Sequence, residues 1–171
     1  MDDWGVDIAV SGSQKGFMLI TGMAILAVSQ KALAAMENAG LSRAFFDFRG
    51  MMAANAQGGF PYPPPLQLIY GLRESLKMLF EEGLDNVYAR HFRLAEGVRQ
   101  AIKAWGLNLC AQSPELYSHT VSAIYVPKGF DSNKLTDHAF SKYGVSFGIG
   151  LGEMHGKAFR IGHLGSLTDT M

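Results

Sequence analysis

Val6-Asp7-Ile8-Ala9-Val10-Ser11-Gly12-Ser13-Gln14-Lys15, followed by Met23-Ala24-Ile25-Leu26-Ala27-Val28, decides the fold class. Residues 6–10 read as a short buried strand and 23–28 as a second, mostly apolar and bounded by Gly22 and Ser29. Between them a lysine sits where a strand gives way to small, hydroxyl-bearing residues. Held there, its ammonium is expected to be partly desolvated, which lowers its pKa and frees the amine as a nucleophile. Ser11, Ser13 and Gln14 can donate hydrogen bonds to an anionic group beside it. On these residues alone, a solvated loop lysine is the favoured reading.

Outward from this stretch, helices and strands alternate. Ser29 caps a predicted helix over 31–37 that Gly40 ends. Residues 41–64 read as irregular, because a stretch with Gly50, Gly58, Gly59 and the proline cluster at 61, 63, 64 and 65 is expected to hold no regular ladder or helix. Leu66 to Glu82 has the spacing of an amphipathic helix, with Leu68, Leu72, Leu76 and Leu79-Phe80 on one side. Gly83 ends it, and Asp85 starts another that reaches about Trp105. Beyond residue 118 the pattern predicts a strand at 121–126, a helix at 132–143 stopped by Gly144, and short strands at 145–147 and 158–161. This is an α/β chain whose second part forms a small α+β layer, with a boundary after residue 85. The glycines at 144, 148, 150, 152 and 156 match neither a dinucleotide fingerprint nor a P-loop and read as a mobile surface loop.

The bulk composition excludes several classes. The 171 residues suffice for one good core, or for a partial domain joined to a small one. Fifteen basic residues balance fifteen acidic ones, which leaves no electrostatic footprint for nucleic acid or an anionic membrane. The longest apolar run, Phe17 to Val28, is cut by Thr21 and Gly22 and is no membrane span. The start lacks a basic region followed by an apolar stretch, so no signal peptide is expected. The single cysteine, Cys110, permits no intrachain disulfide, reads as a small core residue, and fits a cytoplasmic setting.

The Lys15 stretch meets the needs of pyridoxal phosphate (PLP), which brings an aldehyde to link and a phosphate to grip. A second candidate is Arg160, expected to be buried in the short apolar strand Ala158 to Ile161, where an unpaired charge would be expensive. Guanidinium binds an α-carboxylate through two parallel hydrogen bonds, although on the residues alone a structural salt bridge is the favoured account of such an arginine. His155 and His163 flank it and read as satisfied polar residues; His91, His119 and His138 read as surface residues. No histidine or cysteine pair has ligand spacing, so no metal site is expected.

Four stretches occur in order: Met1-Asp2-Asp3-Trp4-Gly5-Val6-Asp7, Ser11 to Lys15, Tyr70-Gly71-Leu72-Arg73-Glu74-Ser75-Leu76, and Phe159-Arg160-Ile161-Gly162-His163-Leu164-Gly165. With Phe45-Phe46-Asp47-Phe48-Arg49-Gly50 and Gly83-Leu84-Asp85-Asn86, they resemble the fold-type I PLP-dependent aminotransferases of the alanine–glyoxylate and serine–pyruvate family, nearest the serine–glyoxylate or aspartate–glyoxylate branch. The resemblance implies that residues 1–85 are the C-terminal part of the PLP-binding large domain, the end of its mainly parallel sheet. It implies that 86–171 form the small domain without its last helix. It gives Lys15 the cofactor linkage, with Ser13, Gln14 and Tyr62 as further cofactor contacts, and gives Arg160 the substrate carboxylate. Tyr62 belongs to a loop, Phe60 to Pro64, that crosses to the partner subunit in the family; Pro63 stands where relatives carry a threonine, which removes a hydroxyl and an N–H.

The implied activity is transamination of serine, alanine or aspartate with glyoxylate or another 2-oxo acid, by a homodimer. The family's aspartate under the pyridine ring and most of its sheet lie upstream of the part this chain resembles. The chain is therefore expected to be a truncated portion of the enzyme, inactive alone. The alternative is a non-catalytic remnant that dimerises or binds a relative.

Overall fold

The computed structural model describes residues 2–170 and divides into two compact units, one up to Lys77 and one from Met78. Met1, which begins the first of the four ordered stretches, and Met171 lie outside the described residues.

In the first unit, a 3-10 turn over Asp2–Trp4 leads into strand β1, Ile8–Gly12, which pairs antiparallel with β2, Ala24–Val28. Val10 faces Leu26 in register, and no parallel pair occurs among the described strands. Ser29 caps α1, Gln30–Met36: its hydroxyl accepts the Ala32 N–H at 3.1 Å and donates to the Asp7 carboxylate at 2.7 Å. That second bond ties the helix start to the residue preceding β1. The helix ends before Gly40, with Glu37 at its C-cap.

The stretch expected to be irregular contains a helix, α2, Phe48–Ala56. Asp47 caps it by accepting the Arg49 N–H at 3.0 Å, and Met51-Met52-Ala53-Ala54 have high helix propensity, which outweighs the cost of Gly50. The amphipathic stretch forms α3, Leu66–Glu82, with the bounds read from the sequence. Among the described residues up to Lys77, the buried ones are two serines, Ser13 and Ser75. This unit is therefore organised around polar contacts, while its apolar strands stay open: Val10 is 69% exposed and Leu26 43%.

The second unit holds the apolar core. Helix α4, Leu84–Ala104, buries Val87, His91, Ala95, Arg99 and Ile102, spaced four, four, four and three apart along one face. Asp85 in its first turn and Lys103 in its last complement the helix dipole. Four strands follow: β3, Asn108–Leu109; β4, Val121–Tyr125; β5, Gly148–Ile149; and β6, Ala158–Gly162. Helix α5, Ser132–Tyr143, lies between β4 and β5 and ends at Gly144, whose φ of 68° is the left-handed C-cap conformation. The sheet order is β3-β4-β6-β5, antiparallel throughout.

Ile124 of β4 and Phe159 of β6 are directly paired and pack with Ile102 of α4, ringed by Val98, Leu107, Leu109, Val126, Phe147 and Ile161. Ile124 is fully buried, so truncating it to alanine would cost about 2–5 kcal/mol.

Two expectations change here. The strand expected at 145–147 forms instead at Gly148–Ile149, because these residues meet the β6 ladder, while Phe147 turns its ring onto Phe159 at 5.7 Å. The glycine-rich stretch is a built segment. It contains β5 and a 3-10 turn at Gly152–Met154, and a β-carbon on buried Gly150 would lie 2.1 Å from the Met154 carbonyl oxygen.

Candidate functional site

Lys15 lies on the loop between β1 and β2, and the chain pins that loop from several sides. The Ser13 N–H donates to the Met23 carbonyl at 3.0 Å, the Leu19 N–H to the Ser13 carbonyl at 3.1 Å, and the Met18 N–H to the Lys15 carbonyl at 2.9 Å. The buried Ser13 hydroxyl donates to the Ile20 carbonyl at 2.7 Å. From α3, the buried Ser75 hydroxyl donates to the Phe17 carbonyl at 2.6 Å. One turn earlier on that helix, a β-carbon on Gly71 would lie 2.9 Å from Leu19, so glycine allows the close approach. The Tyr70–Leu76 motif thus has a local meaning: Gly71 and Ser75 seat the helix on the lysine loop. Met18 takes the left-handed conformation at φ 56°, a strained geometry for a residue with a side chain, which these bonds hold in place.

The Lys15 side chain itself is exposed, with no hydrogen-bond or ion-pair partner among the described residues. The partial desolvation expected from the sequence is absent, because the described residues leave the adjoining strand faces open. Lys31 is also exposed but is engaged: its ammonium lies 2.9 Å from Asp7, and its pKa is raised by that bond. Lys31 and Ser29 in turn hold the Asp7 carboxyl below its usual range.

Ser13 was expected to donate to an anion, but its hydroxyl hydrogen is engaged by Ile20, so it shapes the loop instead. Gln14 is exposed, and its carbonyl end folds back over Gly12, 2.8 Å from where a β-carbon would stand. Tyr62 is exposed, its ring stacked at a tilt on Phe45 with centroids 4.8 Å apart. An unpaired primary amine on a braced loop fits the aldehyde of PLP, and the Gln14 amide and Tyr62 hydroxyl are donors suited to its phosphate.

Arg160 lies in the middle of β6. Strand alternation puts Phe159 and Ile161 against the core and Arg160 on the other face, where it is half-buried rather than buried as expected. Its Nε donates to the Ile149 carbonyl at 3.0 Å. Gly148 lies opposite in the ladder, and a β-carbon there would lie 3.2–3.3 Å from three atoms of the arginine side chain. The absent side chain is the space the guanidinium occupies.

No carboxylate pairs with Arg160 among the described residues. It lines a cleft of about 220 Å³ with Arg99, Tyr117, Ser118, Ser122 and Ala123. Arg99 differs in being engaged: its Nε lies 2.6 Å from Glu96, its Nη1 donates to the Ser118 carbonyl at 3.2 Å, and it lies over the Tyr117 ring. Arg160 is thus a braced guanidinium with free N–H groups, able to take a carboxylate in a bidentate pair.

His91, expected at the surface, and His163, expected to be a satisfied polar residue, are both buried. His91 is 8% exposed and His163 3%. Burial, above all, lowers the His163 pKa below 6.5. For His91 the signal was in the sequence: it continues the Val87–Ala95 stripe at a spacing of four. His119 and His138 are exposed, as read.

Comparison with known proteins gives a consistent answer. Residues 1–150 match the family Aminotransferase class-V. The chain is 60% identical over its whole length to the L-aspartate–glyoxylate aminotransferase of Paracoccus denitrificans, covering 43% of that protein. It is likewise 60% identical over 173 aligned residues to the serine–glyoxylate aminotransferase of Hyphomicrobium methylovorum, again covering 43% of it. A crystal structure of alanine–glyoxylate aminotransferase from Nostoc sp. superposes with a TM-score of 0.88 at 28% identity, over 96% of this chain and 44% of that one. The chain therefore spans less than half the length of the curated relatives it matches. With the family profile covering most of its residues, this chain belongs to the class-V aminotransferases.

Proposed function

We propose that this chain carries the cofactor-linking and carboxylate-binding parts of a PLP-dependent aminotransferase that moves the amino group of serine, alanine or aspartate to glyoxylate or another 2-oxo acid. The observation that carries this reading is Lys15, an unpaired amine on a loop braced by Ser13, Ser75 and the Lys15 carbonyl. The names of the relatives at 60% identity support glyoxylate as the acceptor. Residues 1–85 are assigned to the end of the cofactor domain and 86–171 to the small domain. The enzyme is assigned as a cytoplasmic homodimer, with Tyr62 reaching the partner subunit's cofactor.

In this reading Lys15 holds the cofactor through its Nζ, Gln14 donates to its phosphate, Tyr62 donates to the phosphate of the partner subunit's cofactor, and Ser13 holds the loop that carries Gln14 and Lys15. When bound, PLP supplies an electron sink that stabilises negative charge at the substrate's Cα. Arg160 grips the α-carboxylate through its free N–H groups while its Nε stays on Ile149, which fixes the orientation of the Cα–H bond. The Lys15 Nζ, once released, takes the proton from Cα as general base.

The open faces of β1 and β2 favour a second reading, a non-catalytic module whose strands are covered by a partner. The two separate in a chimera in which this chain replaces the matching portion of the Paracoccus denitrificans relative. The enzyme reading requires transamination by the chimera, and Arg160→Ala should weaken amino-acid binding by about 2–3 kcal/mol with PLP binding unchanged. A folded chimera without turnover supports the module; unchanged amino-acid affinity in Arg160→Ala removes the carboxylate role.

A further inference from the structure

We propose that His163, acting through Ser122, and His91, acting through Gly165, are positioning residues for Arg160. The inference rests on the reading of Arg160 as the carboxylate-binding group.

The His163 Nδ1 lies 3.0 Å from the His119 carbonyl oxygen, which can only accept, so Nδ1 carries the proton. In the neutral ring Nε2 is then an acceptor, and the Ser122 hydroxyl donates to it at 3.1 Å. Ser122 stands opposite Ile161 in the ladder, beside the Ala123–Arg160 pair. This hydroxyl–imidazole bond therefore ties β4 to the segment leaving β6, three residues after Arg160, and the His163 N–H adds a backbone bond to Thr120 at 3.0 Å.

Two residues further on, the Gly165 N–H donates to the His91 Nε2 at 3.0 Å, which makes that nitrogen the unprotonated one. The His91 Nδ1 then donates to the Val87 carbonyl at 2.7 Å. The Gly165 carbonyl accepts from the Arg90 Nη1 at 2.8 Å, and Arg90 is held by Glu82 at 2.6 and 2.8 Å. Gly165 has a φ of 108°, a conformation that favours glycine.

The segment leaving β6 is thus gripped by two buried rings, each fixed in the same neutral tautomer by a carbonyl behind it. This grip sets the register of β6 on β4. A one-residue slip would turn Arg160 towards Ile124 and bring Phe159 or Ile161 to the open face. A smaller displacement would move the guanidinium off Ile149. Neither ring needs to touch the substrate.

The test uses the chimeric enzyme. Ser122→Ala and His91→Ala should each raise the KM for the amino donor by about ten-fold with kcat little changed, the effect of a displaced rather than missing binding group. His91→Gln, whose carboxamide oxygen can accept from Gly165, should return KM towards the original value. Arg160→Ala is measured in parallel. If Arg160→Ala raises KM while Ser122→Ala and His91→Ala lower only the melting temperature, the positioning role is wrong and the carboxylate reading stands. If Arg160→Ala leaves KM unchanged, the carboxylate reading fails and the positioning role with it. Should His91→Ala fail to fold, Ser122→Ala, which removes a single hydroxyl, carries the test.

Discussion

A single methyl group added at Gly148 or at Gly150 should produce two different defects two residues apart. At Gly150 the new β-carbon would stand 2.1 Å from the Met154 oxygen, 2.7 Å from its carbonyl carbon and 2.8 Å from the Ala158 oxygen. All three are backbone atoms, so the 3-10 turn and the start of β6 must move apart. Overpacking of this severity costs about 3 kcal/mol, against which the reduced freedom of the unfolded chain returns about 0.4–1 kcal/mol, leaving Gly150→Ala destabilised by roughly 2 kcal/mol. At Gly148 the near atoms are the Arg160 Nε at 3.2 Å and its Cβ and Nη2 at 3.3 Å. A side chain can yield by a few tenths of an ångström, so stability should change by less than about 1 kcal/mol. The guanidinium, however, is displaced from its bond to Ile149, and carboxylate affinity should fall by about 1 kcal/mol, or roughly five-fold. Urea unfolding of the two variants in the chimera gives the first quantity, and the donor-concentration dependence of turnover gives the second. If Gly150→Ala unfolds at the original midpoint, or Gly148→Ala binds the donor as tightly as before, the packing argument around Arg160 is refuted.

Two further outcomes follow from the same structure. Because burial depresses the His163 pKa in the folded state, the unfolded chain takes up the extra proton first on acidification. Stability should be full above about pH 6.5 and fall below it by up to about 1.4 kcal/mol per pH unit until the folded pKa is reached; His163→Gln should flatten that slope, and a slope unchanged in the variant would show that another group causes it. The 171-residue chain expressed by itself should self-associate through its open strands and show no turnover with serine, alanine or aspartate, glyoxylate and PLP; a monodisperse preparation turning over at about 1–1000 per second would contradict this.

The sequence was most legible where a pattern repeats. The bounds of α3 follow from its leucine spacing, and α5 is framed by Asp131 and Gly144, local signals that need no tertiary context. Helix α2 is hard to see in the sequence because Gly50 and the prolines that follow it argue against a helix, whereas the Asp47 cap that starts it shows only in the structure. The two-residue strand β5 carries no periodicity; only the partner β6 decides where it forms. At the candidate site, the Ser11–Lys15 motif is legible in the sequence, but which hydroxyls stay available depends on how the loop folds back. Ser13 is engaged by Ile20, seven residues on, a contact its neighbours in sequence do not reveal. Arg160 was read as buried because its neighbours are apolar, whereas alternation along β6 places those neighbours on the opposite face.

Borohydride reduction of the PLP-loaded chimera, followed by peptide mapping, identifies the amine that holds the cofactor. Lys15 is exposed and unpartnered on a braced loop, whereas Lys31 is engaged by Asp7 at 2.9 Å. The pyridoxyl group should therefore be found on Lys15. A label on Lys31 or Lys157, with none on Lys15, would contradict the assignment on which the proposed function rests.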